Sequence, residues 1–203
     1  MLGHHGATFI TSGLYRGYGR ITIPHGNVTK SCNADNLPRM EREISAGGVV
    51  VRNRDGYWWI AAIELPSVPS QSLDRTKAGL KRTKPVLALP KGLVDPGEKP
   101  VETALREVYE ETGITAEVIK KLGDIKYIYT RTWAGGERVF KIVSFYLMRY
   151  RAGRINDITA EMRIEVAQAL WIKLEEAATL LAYKGEKQMV RKAMEYLNET
   201  PES

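Results

Sequence analysis

The chain has 203 residues, 43% hydrophobic and 27% charged, and 30 Lys and Arg against 24 Asp and Glu leave it at +6 with a pI near 9.3. That length holds one core with appendages, and no apolar run approaches the roughly 20 residues of a membrane span. The basic balance favours polyanionic partners, and nucleotides with several phosphates qualify as well as nucleic acid does.

The N-terminus lacks the basic-then-apolar layout of a secretory signal, and a single cysteine excludes an internal disulfide and suits a reducing cytoplasm. All three histidines (His4, His5, His25) and Cys32 lie in the first 32 residues. The remainder has no imidazole base, thiol nucleophile or histidine zinc ligand. Carboxylates, lysines, arginines, tyrosines and metal must do any chemistry there, which leaves metal-assisted hydrolysis in place.

Residues 1–39 are rich in Gly, Ser, Thr and Asn without a sustained period. They read as an N-terminal extension, either a loosely ordered arm or a start-site artefact ahead of Met40. The stretches 44–51 and 57–63 read as strands joined by the turn signal Asn53-Arg54-Asp55-Gly56. In a regular strand Trp58 and Trp59 face opposite ways, one of them into the core. Residues 66–86 read as a loop. From Arg75 to Lys91 six cations (Arg75, Lys77, Lys81, Arg82, Lys84, Lys91) occur without an acid, as a solvated basic loop or as an arm that closes over phosphates. A short strand over 86–90 delivers LPKG into the next stretch.

Residues 92–114, GLVDPGEKPVETALREVYEETGI, carry six carboxylates against two cations in a chain that is otherwise basic. Pro100 suits a first helical turn and Gly113 a left-handed C-terminal cap. Between them Val101, Ala104, Leu105 and Val108 form one apolar stripe. Glu107, Glu110 and Glu111 share one turn on a neighbouring face, where like charges repel. A solvated acidic face is the ordinary origin of such a cluster, and divalent metal with oxygen ligands is the other. Strands are expected over 117–130, 138–149 and 169–173, and helices over 174–182 and 185–198, packed through Leu180/Leu181 and Met189/Ala193/Leu197.

The spacing Gly92, Glu98, Arg106-Glu107-Val108, Glu110-Glu111, Gly113-Ile114 resembles the complete Nudix box. The resemblance implies an α/β fold, an α/β/α sandwich with a mixed sheet, spanning 40–200. It implies a metal site of the Lys91 carbonyl, Glu107, Glu110 and Glu111, with Glu98 bracing the loop or reaching metal through water. The ion expected is Mg²⁺, with Mn²⁺ as substitute, and Arg106 orients the carboxylates. A further acid from the loop before the last strand, Glu165 or Glu161, competes with Glu107 as general base. The LPKG lead-in, Tyr129 and the WIKLEEA tail resemble the branch that cleaves dinucleoside polyphosphates. Tyr129 or Tyr127 is then a stacking candidate, and Lys84, Arg131, Arg138 and Lys141 are phosphate candidates, with packing and solvation as their ordinary roles.

The expected activity is pyrophosphate hydrolysis of a nucleoside diphosphate-X substrate, diadenosine polyphosphate first. Nucleoside triphosphates, including oxidised guanine nucleotides, come next, followed by nucleotide sugars or diphosphoinositol phosphates. The rival from another class is a non-catalytic nucleotide-sensing or RNA-binding module, which would be expected to lose Arg106 or one of the three glutamates.

Overall fold

The first two expected strands pair at the Asp55-Gly56 turn, where both residues adopt positive φ (55° and 79°), the geometry that matches strand twist. The structure is a computed structural model, described here over residues 40–66, 85–131 and 136–200. In it β1 (Glu41–Arg54) and β2 (Tyr57–Leu65) run longer than the sequence suggests. So do β5 (Ile114–Arg131) and β6 (Glu137–Gly153), because residues beyond each expected run keep pairing with the neighbouring strand. β3 (Val86–Ala88), β7 (Gln168–Lys173), α1 (Pro100–Thr112), α2 (Leu174–Leu180) and α3 (Lys184–Glu199) lie near their expected positions. Unanticipated are β4 (Lys91–Leu93) and a 3-10 turn over Met162–Ile164.

Among the described residues seven strands form one mixed sheet, five of them in the order β3-β2-β1-β6-β5. β1 and β6 are parallel, while β4 pairs antiparallel with β1 and β7 with β2. Strand alternation sends Ala46 and Val50 to one face, where α1 covers them with Ala104 and Val108. Val49 and Val51 face the other way, against Met189, Val190 and Ala193 of α3 and Ala177 of α2. The α/β/α sandwich expected from the motif is thus observed. Trp58 packs on the α2/α3 side, and alternation puts Trp59 on the α1 face.

The Nudix-like stretch folds as strand, loop and helix. Gly113 closes α1 at φ 76°, its N–H donating to Tyr109 O at 2.8 Å, as the sequence requires. The expected N-terminal extension lies outside the described residues, as does the basic segment carrying Arg75, Lys77, Lys81, Arg82 and Lys84. Among the described residues no helix is long and apolar enough to cross a membrane.

Leu147 is fully buried on the α2/α3 side, and Ile164 is 79% exposed. Leu147→Ala should lower unfolding free energy by about 2–5 kcal/mol. Ile164→Ala should shift it within about 0.5 kcal/mol. Urea denaturation measures both.

Candidate metal and phosphate site

The acid cluster is assembled by α1 and held by one guanidinium. Arg106 Nε and Nη2 donate to Glu98 Oε1 and Oε2, each at 3.0 Å, in a two-point fork. Nη1 donates to Glu107 Oε1 at 2.7 Å and to Glu110 Oε2 at 3.0 Å, and Nη2 also reaches the Leu93 carbonyl at 3.1 Å. The Arg106 bonds, with the Thr103 hydroxyl at 2.7 Å, hold Glu98 down to about 2. Glu98 therefore braces the loop to the helix, in a charged state at neutral pH.

Glu107 and Glu111 are almost wholly buried, at 2% and 5% exposure. Gly92 explains where Glu107 goes: a Cβ built there would lie 1.9–2.2 Å from the carboxylate atoms, so the side chain occupies space any other residue would fill. Glu111 Oε2 accepts the Lys91 N–H at 2.7 Å. Burial pushes Glu111 up to about 8, with the charges of Glu107 and Glu165 adding and Lys91 opposing. A buried carboxylate that resists ionisation among like charges is a place where a cation is accommodated.

The donors all carry oxygen, which fits a hard divalent ion. The side chains are not converged on one point, and among the described residues no three His, Cys, Asp or Glu form a metal cage. Glu107 and Glu110 face Arg106 instead. Coordination would require them to share or exchange those bonds, a rotation of carboxylates already on the same helix turn.

The two loop acids separate clearly. Glu165 follows the 3-10 turn, its N–H donating to Met162 O at 3.0 Å, and its charge is felt at Glu111. Glu161 is exposed and interacts with Thr159.

A second group gathers at the end of β1, β5 and β6. Arg131 pairs with Glu41 at 2.5 Å and also with Glu43, and Lys141 pairs with Glu43 at 3.2 Å. Burial disfavours charge on Glu43, but Lys141, Arg131 and the Tyr129 hydroxyl outweigh it and lower its pKa. The Tyr127 and Tyr129 rings are 6.3 Å apart and tilted. Arg138 is exposed nearby in sequence, and Lys84 lies outside the described residues.

Sequence reasoning missed Glu43 and Glu186. Glu186, in the first turn of α3, accepts the Leu89 N–H at 2.9 Å and pairs with Lys91 Nζ at 3.1 Å. Both contacts depend on layers meeting across long sequence separations, and no local pattern marks them.

The NUDIX domain pattern matches residues 43–193. This chain belongs to the Nudix family. It is 34% identical over 162 residues to the MutT4 protein of Mycobacterium tuberculosis, covering 79% of this chain and 58% of that one. With the mouse bis(5'-nucleosyl)-tetraphosphatase (asymmetrical) identity is 33% over 118 residues, covering 55% of this chain and 72% of the relative. The second likeness agrees with the branch expected from LPKG and the C-terminal tail. A Caenorhabditis elegans Ap4A hydrolase complex shares the fold, with TM-score 0.56, 22% identity, and coverage of 78% of this Nudix chain and 99% of that one.

Two outcomes test the geometry. Metal-free protein should lose stability as pH rises from about 4.5 through about 8, because folded Glu111 keeps a proton that the unfolded chain releases. Glu111→Gln should flatten that slope by up to about 1.4 kcal/mol per pH unit in urea titrations with chelator. Gly92→Ala should fold, yet displace the Glu107 carboxylate and weaken Mn²⁺ binding by about tenfold or more, read by calorimetry.

Proposed function

We propose that this Nudix chain is a Mg²⁺-dependent pyrophosphohydrolase, with Mn²⁺ as substitute, cleaving a diphosphate linkage in a nucleoside diphosphate-X substrate, diadenosine polyphosphate first. The observation that carries the reading is the pair of buried carboxylates, Glu107 and Glu111, set against the β4 backbone. The Lys91 carbonyl, Glu107, Glu110 and Glu111 would hold the ion, with Glu98 farther out. When bound, such an ion neutralises phosphate charge and lowers the pKa of water.

The chain's own residues supply the rest. Arg106 orients Glu107 and Glu110 by its bonds of 2.7 and 3.0 Å. Glu165 takes the proton of the attacking water at its carboxylate, in competition with Glu107. As water's oxygen bonds to phosphorus, the bridging P–O bond breaks and its electrons leave with the departing phosphate. Tyr129, or Tyr127 beside it, offers a ring to the nucleobase. Arg131 and Lys141 meet the phosphates by exchanging part of their pairing with Glu41 and Glu43, and Arg138 and Lys84 add charge. The likeness to the mouse tetraphosphatase supports the dinucleoside substrate. The complete set of Arg106, Glu107, Glu110 and Glu111 speaks against a non-catalytic sensor.

The test is a panel of diadenosine tetraphosphate, GTP, 8-oxo-GTP and ADP-ribose with Mg²⁺, Mn²⁺ or chelator, products resolved by chromatography. Diadenosine tetraphosphate should turn over fastest, and chelator should abolish turnover. Glu111→Gln should lower kcat by orders of magnitude with circular dichroism unchanged. Retention of more than about a tenth of wild-type kcat would place the metal elsewhere.

A further inference from the structure

The outer end of the α1 face carries a cation that the proposed hydrolysis does not use. Arg52 lies opposite Trp59 in the β1–β2 register, and alternation puts both on the face that α1 covers farther along. The Arg52 guanidinium carbon sits 4.0 Å over the Trp171 ring and 5.9 Å from that of Tyr150, and the two rings meet edge to face at 5.6 Å. No described residue pairs its charge: Arg52 Nε and Trp59 Nε1 are both buried and donate to nothing. Stacking on Trp171 accounts for the position of the charge, but it leaves the N–H donors unmatched.

The surroundings fix the sign and shape of what would satisfy them. Arg54 and Lys173 share this end of the face, Arg54 paired with Asp55 at 3.3 Å in the turn and Lys173 Nζ 4.8 Å over the Tyr57 ring. Among the described strand residues here, β1, β2, β6 and β7 supply no acid. Burial and the neighbouring Arg54 charge act against the Arg52 cation, with Tyr150 opposing them, so an anion beside it would be favoured. The cluster lies about five residues along β1 from the Gly47–Lys91 pairing, roughly 17 Å away.

We infer that Arg52, Trp59, Tyr150 and Trp171 form a second ligand site, which takes a nucleotide unit as Arg52 turns off Trp171: phosphate on the uncovered Arg52 and Trp59 N–H groups, base on the Trp171 face that Arg52 leaves. Cations interleaved with aromatic rings are the arrangement by which a phosphate and a planar base are held together. The site is independent of the reading given to Glu107 and Glu111, since binding there needs neither metal nor turnover.

The probe is AMP, which has no anhydride bond to cleave, added to full-length protein with chelator present. The readout is the indole N–H signal of Trp59 in ¹⁵N-labelled protein, assigned by its loss in Trp59→Phe. AMP should shift that signal with saturation, and Arg52→Met, which keeps the apolar stem, should weaken binding by about tenfold. kcat on the best anhydride substrate should stay unchanged in Arg52→Met. A short oligoadenylate binding more tightly than AMP, with steep salt dependence, would identify a nucleic-acid strand as the natural source. Equal binding would identify a mononucleotide. The inference is overturned if the Trp59 signal does not move, if Arg52→Met binds AMP as wild type does, or if inorganic phosphate binds as tightly as AMP. A change of oligomeric state in Arg52→Met without any ligand effect would also overturn it, making the face an interface between copies.

Discussion

Arg106 is the contact on which the acidic end of α1 depends. Glu98, Glu107 and Glu110 all lie within 3.0 Å of its guanidinium, which also holds the Leu93 carbonyl. Without a cation there, Glu107 would be a nearly buried charge beside other carboxylates, a state that costs far more than an ordinary surface pair returns. The same guanidinium ties the loop through Glu98 to the helix, so electrostatic relief and loop shape are one interaction. Lysine in its place would supply the charge without the planar fork.

The LPKG segment is fixed from both layers of the sandwich. Glu111, on α1, accepts the Lys91 N–H at 2.7 Å, and Glu186, on α3, accepts the Leu89 N–H at 2.9 Å. Glu186 also draws the Lys91 ammonium to 3.1 Å on the α2/α3 side. Burial raises the pKa of both glutamates, opposed in each case by Lys91. Two buried carboxylates from opposite faces thus hold a two-residue step of backbone, and β4 pairs with β1 directly after it. The strand that the sequence does not reveal is therefore the one that sets the backbone against the acids.

What was legible in the sequence is what local rules govern. Pro100 and Gly113 bound α1 because each meets a backbone requirement at its own position, and the Val101-Ala104-Leu105-Val108 stripe names the face to be covered. Strand ends were not legible, since Glu41 to Glu43 and Tyr150 to Gly153 carry no apolar alternation and extend only because a partner strand is present. β4 has three residues, too few for any period. Glu43 opposes Lys141 only through a parallel register, and parallel register is invisible to residue spacing. The acids in the motif could be found one by one, whereas the partners that tune them come from across the sheet.

The cations on the two faces differ in how they are matched, and that difference bears on selectivity. Arg131 and Lys141 stand beside Glu41, Glu43 and Glu137, two cations against three anions, so these pairs offer little net attraction to a polyphosphate. The acids instead hold the donors in place: Arg131 is pinned between Glu41 and Glu43, and the Tyr129 hydroxyl bonds to Glu43. Under the function proposed above, a phosphate binding there would have to replace carboxylate oxygens at similar positions, which requires matching geometry. Unpaired cations would accept any polyanion in proportion to charge. Paired ones would reward the ligand whose oxygens fall where the carboxylate oxygens were, so discrimination by the proposed phosphate contacts would rest on shape more than on charge.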